Sequence, residues 1–193
     1  METVWREDLK RGLVPNSITL GGLFLVPFII LFHYHAYFIT SLAILVSAWI
    51  LDGFDGWWAR RTKSCTQIGA FMDPLVDKLF TWSLLVYFWD EIVPAAGILI
   101  IAVGVCLTVA RIWKMIYGAK KKIKVNILAS ISGKIKVCVE KSAFTLIILA
   151  QIMADRNILP EASGIILIIA NCALFGSLFF AAFSLKRQVR ELT

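Results

Sequence analysis

The segment Ile50-Leu51-Asp52-Gly53-Phe54-Asp55-Gly56-Trp57-Trp58-Ala59-Arg60, followed eight residues later by Gly69-Ala70-Phe71-Met72-Asp73-Pro74-Leu75-Val76-Asp77-Lys78, sets four aspartates beside or inside apolar sequence. An ionised carboxylate at membrane depth costs at least ~2.5 kcal/mol on insertion scales, so four close together answer to a cation or a reaction rather than to the fold. Asp52 and Asp55 are i, i+3 and Asp73 and Asp77 are i, i+4, so on helices each pair projects from one face. Two such faces brought together make an all-oxygen pocket. Carboxylate oxygens are hard ligands suited to Mg²⁺, Mn²⁺ or Ca²⁺, and three or four of them can hold two divalent ions while cancelling the charge that makes burial costly.

The surrounding sequence is built for a bilayer. Of 193 residues 59% are hydrophobic, and the mean hydropathy of +0.79 is far above that of a soluble domain. A helix crossing a ~30 Å hydrocarbon core needs about 20 residues. Six stretches fit: 17–35, 38–60, 70–89, 93–117, 132–153 and 161–184. The expected fold is an all-α integral membrane protein with six transmembrane helices, a single domain over 1–193: a short interfacial helix at 1–14, a membrane core at 16–184 and a tail at 185–193. Trp5, Leu9 and Leu13 fall four apart with Arg6, Lys10 and Arg11 beside them, as in a helix lying in the membrane interface until Pro15 breaks it; a solvated arm is the alternative. Met1–Arg11 has mixed charge and no small-residue cleavage pattern precedes His33, so the first stretch reads as a retained helix.

Basic residues fix the expected orientation, because cytoplasmic connections are enriched in Lys and Arg. The N-terminus, Arg60–Lys78, Arg111–Lys141 and Lys186–Arg190 hold 19 of the 20 basic residues, and the opposite connections hold only Arg156. Both termini and the aspartates therefore belong at the cytoplasmic side. The opposite connections, His33–Tyr37, Asp90–Pro94 and Asp155–Pro160, are too short for an outer domain. With no transit-type N-terminus rich in Arg and Ser, the expected location is the bacterial plasma membrane.

The net charge of +7 does not imply nucleic acid, since the cations gather at one membrane face where anionic headgroups already supply a partner. Cys65, Cys106, Cys138 and Cys172 are scattered singly, without a C-x-x-C pair, and read as packing residues. His33 and His35 lie on a connection opposite the aspartates and read as interfacial polar residues.

Gly56 and Gly69 leave a polar helix face open to close approach of a ligand or a second backbone, and Ala59 is also small. Alone, such residues would mean tight helix packing. With the acids, and with Arg60 as a positive fork about a turn beyond Gly56, the pattern asks for a diphosphate bound through metal. Asp52-x-x-Asp55-Gly56-x-x-Ala59-Arg60, then eight residues, then Gly69-x-x-x-Asp73-x-x-x-Asp77, resembles the full signature of the CDP-alcohol phosphatidyltransferase family. The resemblance implies that Asp52, Asp55 and Asp73 bind two divalent ions, Mg²⁺ or Mn²⁺, and that Asp77 is the general base with a share in metal binding. It also implies that Gly56, Ala59, Arg60 and Gly69 line the CDP site, with help from Asn16 and Thr19, and that the protein is a homodimer.

Within the family, Asp73–Lys78, Val14–Thr19 and Ser132-Gly133-Lys134-Ile135-Lys136 resemble the corresponding runs of phosphatidylglycerophosphate synthases, which join glycerol 3-phosphate to CDP-diacylglycerol. Two positions depart from that pattern: an arginine expected shortly after Thr19 is replaced by Gly21-Gly22-Leu23-Phe24, and the acid expected after Arg111 is Ile112. A phosphorylated acceptor needs cations that the aspartates cannot provide, and Arg111, Lys134 and Lys136 are the candidates. Lys120-Lys121-Lys122 fits contact with lipid phosphates. Two alternatives stand beside glycerol 3-phosphate transfer: the same chemistry on inositol phosphate, inositol or serine, and a divalent-cation transporter. The transporter would hold its acids near the midplane within a repeat, which this sequence does not display.

Overall fold

The computed structural model describes residues 17, 20–62, 67–121 and 131–190, and within them all side chains except those of 55–56, 59–60, 67–73, 111, 114–121, 131, 160 and 187–190. The described residues form helices and no strand: α1 Val26–Tyr34, α2 Phe38–Arg61, α3 Gln67–Tyr87, a 3-10 turn Trp89–Glu91, α4 Pro94–Lys121, α5 Ile131–Asp155 and α6 Pro160–Arg190. The expected interfacial helix at 1–14 lies outside the described residues. The chain divides after Leu84 into two compact units.

The first unit holds α1, α2 and most of α3. The apolar stretch expected as one helix over 17–35 is interrupted: residues 20–24 are helical, Leu25 turns, and α1 starts with a proline in its first turn. Pro27 has no N–H to give the Leu23 carbonyl, so the helix restarts around it, with Leu25 N–H bonding the Gly22 carbonyl at 3.2 Å and Ile29 N–H bonding the Leu25 carbonyl at 3.0 Å. Residues 35–37 turn the chain back, with Ala36 at φ 59° and Tyr37 N–H reaching the Phe32 carbonyl at 2.9 Å. The buried Ser41 hydroxyl then donates to the Ile29 carbonyl at 2.9 Å and ties α2 to α1.

The second unit is organised by α6, which packs on both α5 and α4. On α6 the buried residues Ala170, Leu174, Ser177, Ala181 and Ser184 step by four and three, and on α5 Lys136, Glu140, Ala143, Ile147 and Ala150 do the same. These residues form the seam between the two helices, and its small residues allow close approach. At one end Asn171 acts as a staple. Its amide nitrogen donates to the Glu91 carbonyl at 3.0 Å, its amide oxygen accepts from Val93 N–H at 2.8 Å, and Gln151 bonds the Glu91 carboxylate at 3.1 Å. The 3-10 turn is thereby held to α5 and α6.

Among the described residues two segments, Ser132–Asp155 and Glu161–Lys186, are long and apolar enough to cross a membrane. Shorter apolar helices occupy Leu20–Tyr34, Phe38–Phe54 and Pro94–Ala110. Helix α6 continues to Arg190, past the apolar stretch expected at 161–184, because nothing after Lys186 breaks a helix.

Candidate diphosphate and metal site

The four aspartates fall on two helices at the spacing their sequence requires. Asp52 and Asp55 lie on α2, about 4.5 Å apart along its axis, and Asp73 and Asp77 on α3, about 6 Å apart. Asp52 and Asp77 are half-buried; the side chains of Asp55 and Asp73 lie outside those described. Among the described residues no group of three or more His, Cys, Asp or Glu is gathered for a metal. The donor set itself, four carboxylates on two helices, suits hard divalent cations.

Helix α2 stays regular through Gly56, Ala59 and Arg60 and closes at Thr62, whose N–H and hydroxyl both reach the Trp58 carbonyl, at 2.9 and 2.8 Å. Gly69 lies in the first turn of α3, and Pro74 stands inside that helix between the two acids. Asn16 and Thr19 lie outside the described residues. Three features here escaped the sequence reading. Phe54, Trp57 and Trp58 form an exposed aromatic fan with ring centroids 5.6 to 6.5 Å apart, and the Arg61 guanidinium sits 5.1 Å over Trp57. Such rings favour the headgroup level of a bilayer, and the fan brackets Asp55 in sequence. Trp49, one turn before Asp52, has a buried indole Nε1 with no hydrogen-bond partner among the described residues. Buried Gly22, in the run that replaces the expected arginine, lies close to α2, where an added Cβ would sit 3.9 Å from the Ala48 carbonyl oxygen.

The acceptor candidates lie in the second unit and differ from one another. Lys134 is exposed on the first turn of α5. Lys136 is buried, its ammonium 2.6 Å from a carboxylate oxygen of Glu140, which is also buried and accepts a 3.3 Å hydrogen bond from Ser177 on α6. Glu140 thus compensates Lys136 in place, as a charge so enclosed requires. Arg111 belongs to α4, with its side chain outside those described. Cys106, Cys138 and Cys172 are exposed free thiols, and Cys65 lies outside the described residues. His33 is buried against Phe38, ring centroids 4.9 Å apart, and His35 is exposed beside Tyr34.

A family model for CDP-alcohol phosphatidyltransferase matches residues 12–181, which span both units and all four aspartates. The chain belongs to the CDP-alcohol phosphatidyltransferase family. This family is generally dependent on divalent cations. Among curated relatives, a protein of Escherichia coli (strain K12) is 30% identical over 171 residues, 83% of this chain and 87% of its own length. One from Salmonella choleraesuis (strain SC-B67) is 29% identical over the same shares. One from Yersinia enterocolitica is 30% identical over 175 residues, 86% of this chain and 91% of its own. All three are named CDP-diacylglycerol–glycerol-3-phosphate 3-phosphatidyltransferase.

Proposed function

We propose that this CDP-alcohol phosphatidyltransferase moves the phosphatidyl group of CDP-diacylglycerol to glycerol 3-phosphate, giving phosphatidylglycerophosphate and CMP in phospholipid biosynthesis. The observation that carries the reading is the family's acid signature, complete and laid on helices α2 and α3. The acceptor rests on relatives of about 30% identity that bear the name of this reaction.

Two divalent cations, Mg²⁺ or Mn²⁺, held by Asp52, Asp55 and Asp73 with a share from Asp77, would neutralise the diphosphate and stabilise CMP as leaving group. The chain's own residues do the rest. Gly56, Ala59 and Gly69 leave room for the CDP moiety, Arg60 pairs with a phosphate, and Asn16 and Thr19 add polar contacts to the nucleotide. Asp77 takes the proton of the attacking hydroxyl as its oxygen bonds the phosphorus that carries the lipid and the bond from that phosphorus to CMP breaks. Arg111, Lys134 and Lys136 supply the cations for the acceptor phosphate, Lys136 while paired with Glu140.

Six spans, the first of them the broken helix that ends in α1, cross the plasma membrane with both termini and the active site at the cytoplasmic side, and the protein works as a homodimer. The aromatic fan beside Asp55 supports this depth, because a ring cluster of this kind belongs at the interface rather than the midplane. That depth also argues against a cation transporter, whose site would lie near the midplane. The test is CMP release from CDP-diacylglycerol by purified protein with Mg²⁺ or Mn²⁺, across glycerol 3-phosphate, inositol 1-phosphate, inositol and serine. Release with glycerol 3-phosphate alone is expected. Release only with another acceptor keeps the mechanism and replaces the substrate, an outcome for which the departures at Gly21–Phe24 and Ile112 leave room.

A further inference from the structure

The first unit carries a groove of about 580 Å³, within the range of sites that hold small ligands. Leu23, Val26, Pro27, Ile30 and Tyr34 line it from α1 and the residues just before it, and α3 contributes Ser83. Two hydroxyls interrupt an otherwise apolar lining. Ser83 gives its own to the Leu79 carbonyl at 2.8 Å and so asks nothing of an occupant, while Tyr34 stands exposed at the last turn of α1. Such a lining suits hydrocarbon.

The register of α1 on α2 relates the groove to the acids. A Cβ on Gly22 would sit 3.9 Å from the Ala48 carbonyl oxygen, and seven residues further along α1 the Ile29 carbonyl accepts the 2.9 Å hydrogen bond from Ser41, seven residues back along α2. The two helices therefore run antiparallel, and the Leu23 end of the groove lies roughly 6–8 Å beyond Asp52 along α2. On α3, Ser83 lies six residues past Asp77, about 9 Å along the axis. By both helices the groove opens just past the acids, at a distance that the glycerol and ester groups of a lipid fill. From Leu23 to Tyr34 it follows about 16 Å of chain, close to half of a ~30 Å hydrocarbon core and so to one layer of acyl chains. The far end offers a headgroup no hold, because residues 33–37 include no lysine or arginine. A lipid entering there would leave its phosphate unpaired, whereas a diphosphate bound through metal at the acids is held. We propose that this groove takes one acyl chain of the CDP-diacylglycerol donor, running from the acids toward Tyr34, with Ile30 beside its middle. This inference rests on the reading of the acids as the site of the donor's diphosphate.

The test has two arms, both with purified full-length protein. In wild type, CDP-diacylglycerol carrying a diazirine at mid-chain is photolysed in phosphatidylcholine liposomes. Label is expected on residues 23–34 or at Ser83, and excess plain CDP-diacylglycerol is expected to remove it. Absence of label there in protein that still releases CMP would overturn the proposal. So would equal labelling by diazirine phosphatidylcholine that CDP-diacylglycerol does not displace, since bulk lipid would then be the occupant. In the second arm Ile30→Trp narrows the groove, and the donors are dipalmitoyl and dihexanoyl CDP-diacylglycerol, whose longer chains pass Ile30 and whose shorter ones stop before it. The variant is expected to raise the ratio of the dipalmitoyl KM to the dihexanoyl KM about tenfold, a typical consequence of forcing bulk into occupied space. A ratio left at its wild-type value would overturn the proposal, and general damage to the fold moves both donors together without changing it. Wild type that releases no CMP from either donor would overturn the reading of the acids and the groove with it, whereas the other adverse results remove the groove alone.

Discussion

Asp77 is set into α3 between buried Val76 and Phe80, half-buried and one turn past Pro74. The base proposed here should be lost by the smallest change that removes its charge. Asp77→Asn is expected to lower turnover about 10²–10⁴-fold, the usual contribution of a positioned base, while CDP binding followed by calorimetry stays near the wild-type value. Strong turnover in that variant would assign the base elsewhere. Arg111→Ala is expected to raise the KM for glycerol 3-phosphate roughly 10- to 100-fold, as loss of a charge-assisted hydrogen bond should, with little change for CDP-diacylglycerol. An equal effect on both substrates would remove Arg111 from acceptor recognition. The acids were legible in the sequence because charge in apolar sequence is costly and therefore conspicuous. Trp49 was not, because an indole in an apolar stretch is ordinary and only the lack of a partner among the described residues sets it apart.

Helices α5 and α6 carry the seam that a sequence reading sees least well. The stretch around Lys136 reads as a basic patch at a membrane end, yet the fold turns Lys136 inward onto Glu140 and closes the group with Ser177 from α6. Nothing in the spacing of a lysine and a glutamate four apart says whether they face water or a neighbouring helix. Glu140→Ala leaves a buried ammonium without its counter-charge and is expected to cost about 3–5 kcal/mol in unfolding experiments in detergent. Lys136→Met combined with Glu140→Leu should be near neutral or stabilising by the same measure. A loss of stability in the double variant as large as in Glu140→Ala would show that the pair's net attraction, and not merely its completeness, holds the seam. At the far end, Asn171→Leu removes bonds to Glu91 and Val93 and is expected to destabilise by about 1–3 kcal/mol. Helix ends were more readable: Pro94 and Pro160 open α4 and α6 close to the expected positions, whereas the break at Leu25 depended on Pro27 within a stretch that is apolar throughout.

The molecule as a whole is legible from two asymmetries, cations gathered at one set of connections and apolar faces turned outward. On α6, Ile165, Ile168 and Phe179 are each more than half exposed, which suits hydrocarbon far better than water. The proposed topology predicts that single cysteines at His35 and Arg156, placed in a chain freed of its own thiols, react with a membrane-impermeant maleimide added outside intact cells. A cysteine at Lys121 should react only after the membrane is opened. The reverse pattern would invert the protein and separate its acids from cytoplasmic CDP-lipid. Group transfer by a metal-held acid site is checked by following label from glycerol 3-phosphate into chloroform-soluble lipid alongside CMP release by the purified protein. Labelled lipid and CMP appearing one for one, only with added Mg²⁺ or Mn²⁺ and lost in Asp55→Asn, is the predicted result. CMP without labelled lipid, or transfer that persists in the presence of chelator, would contradict it.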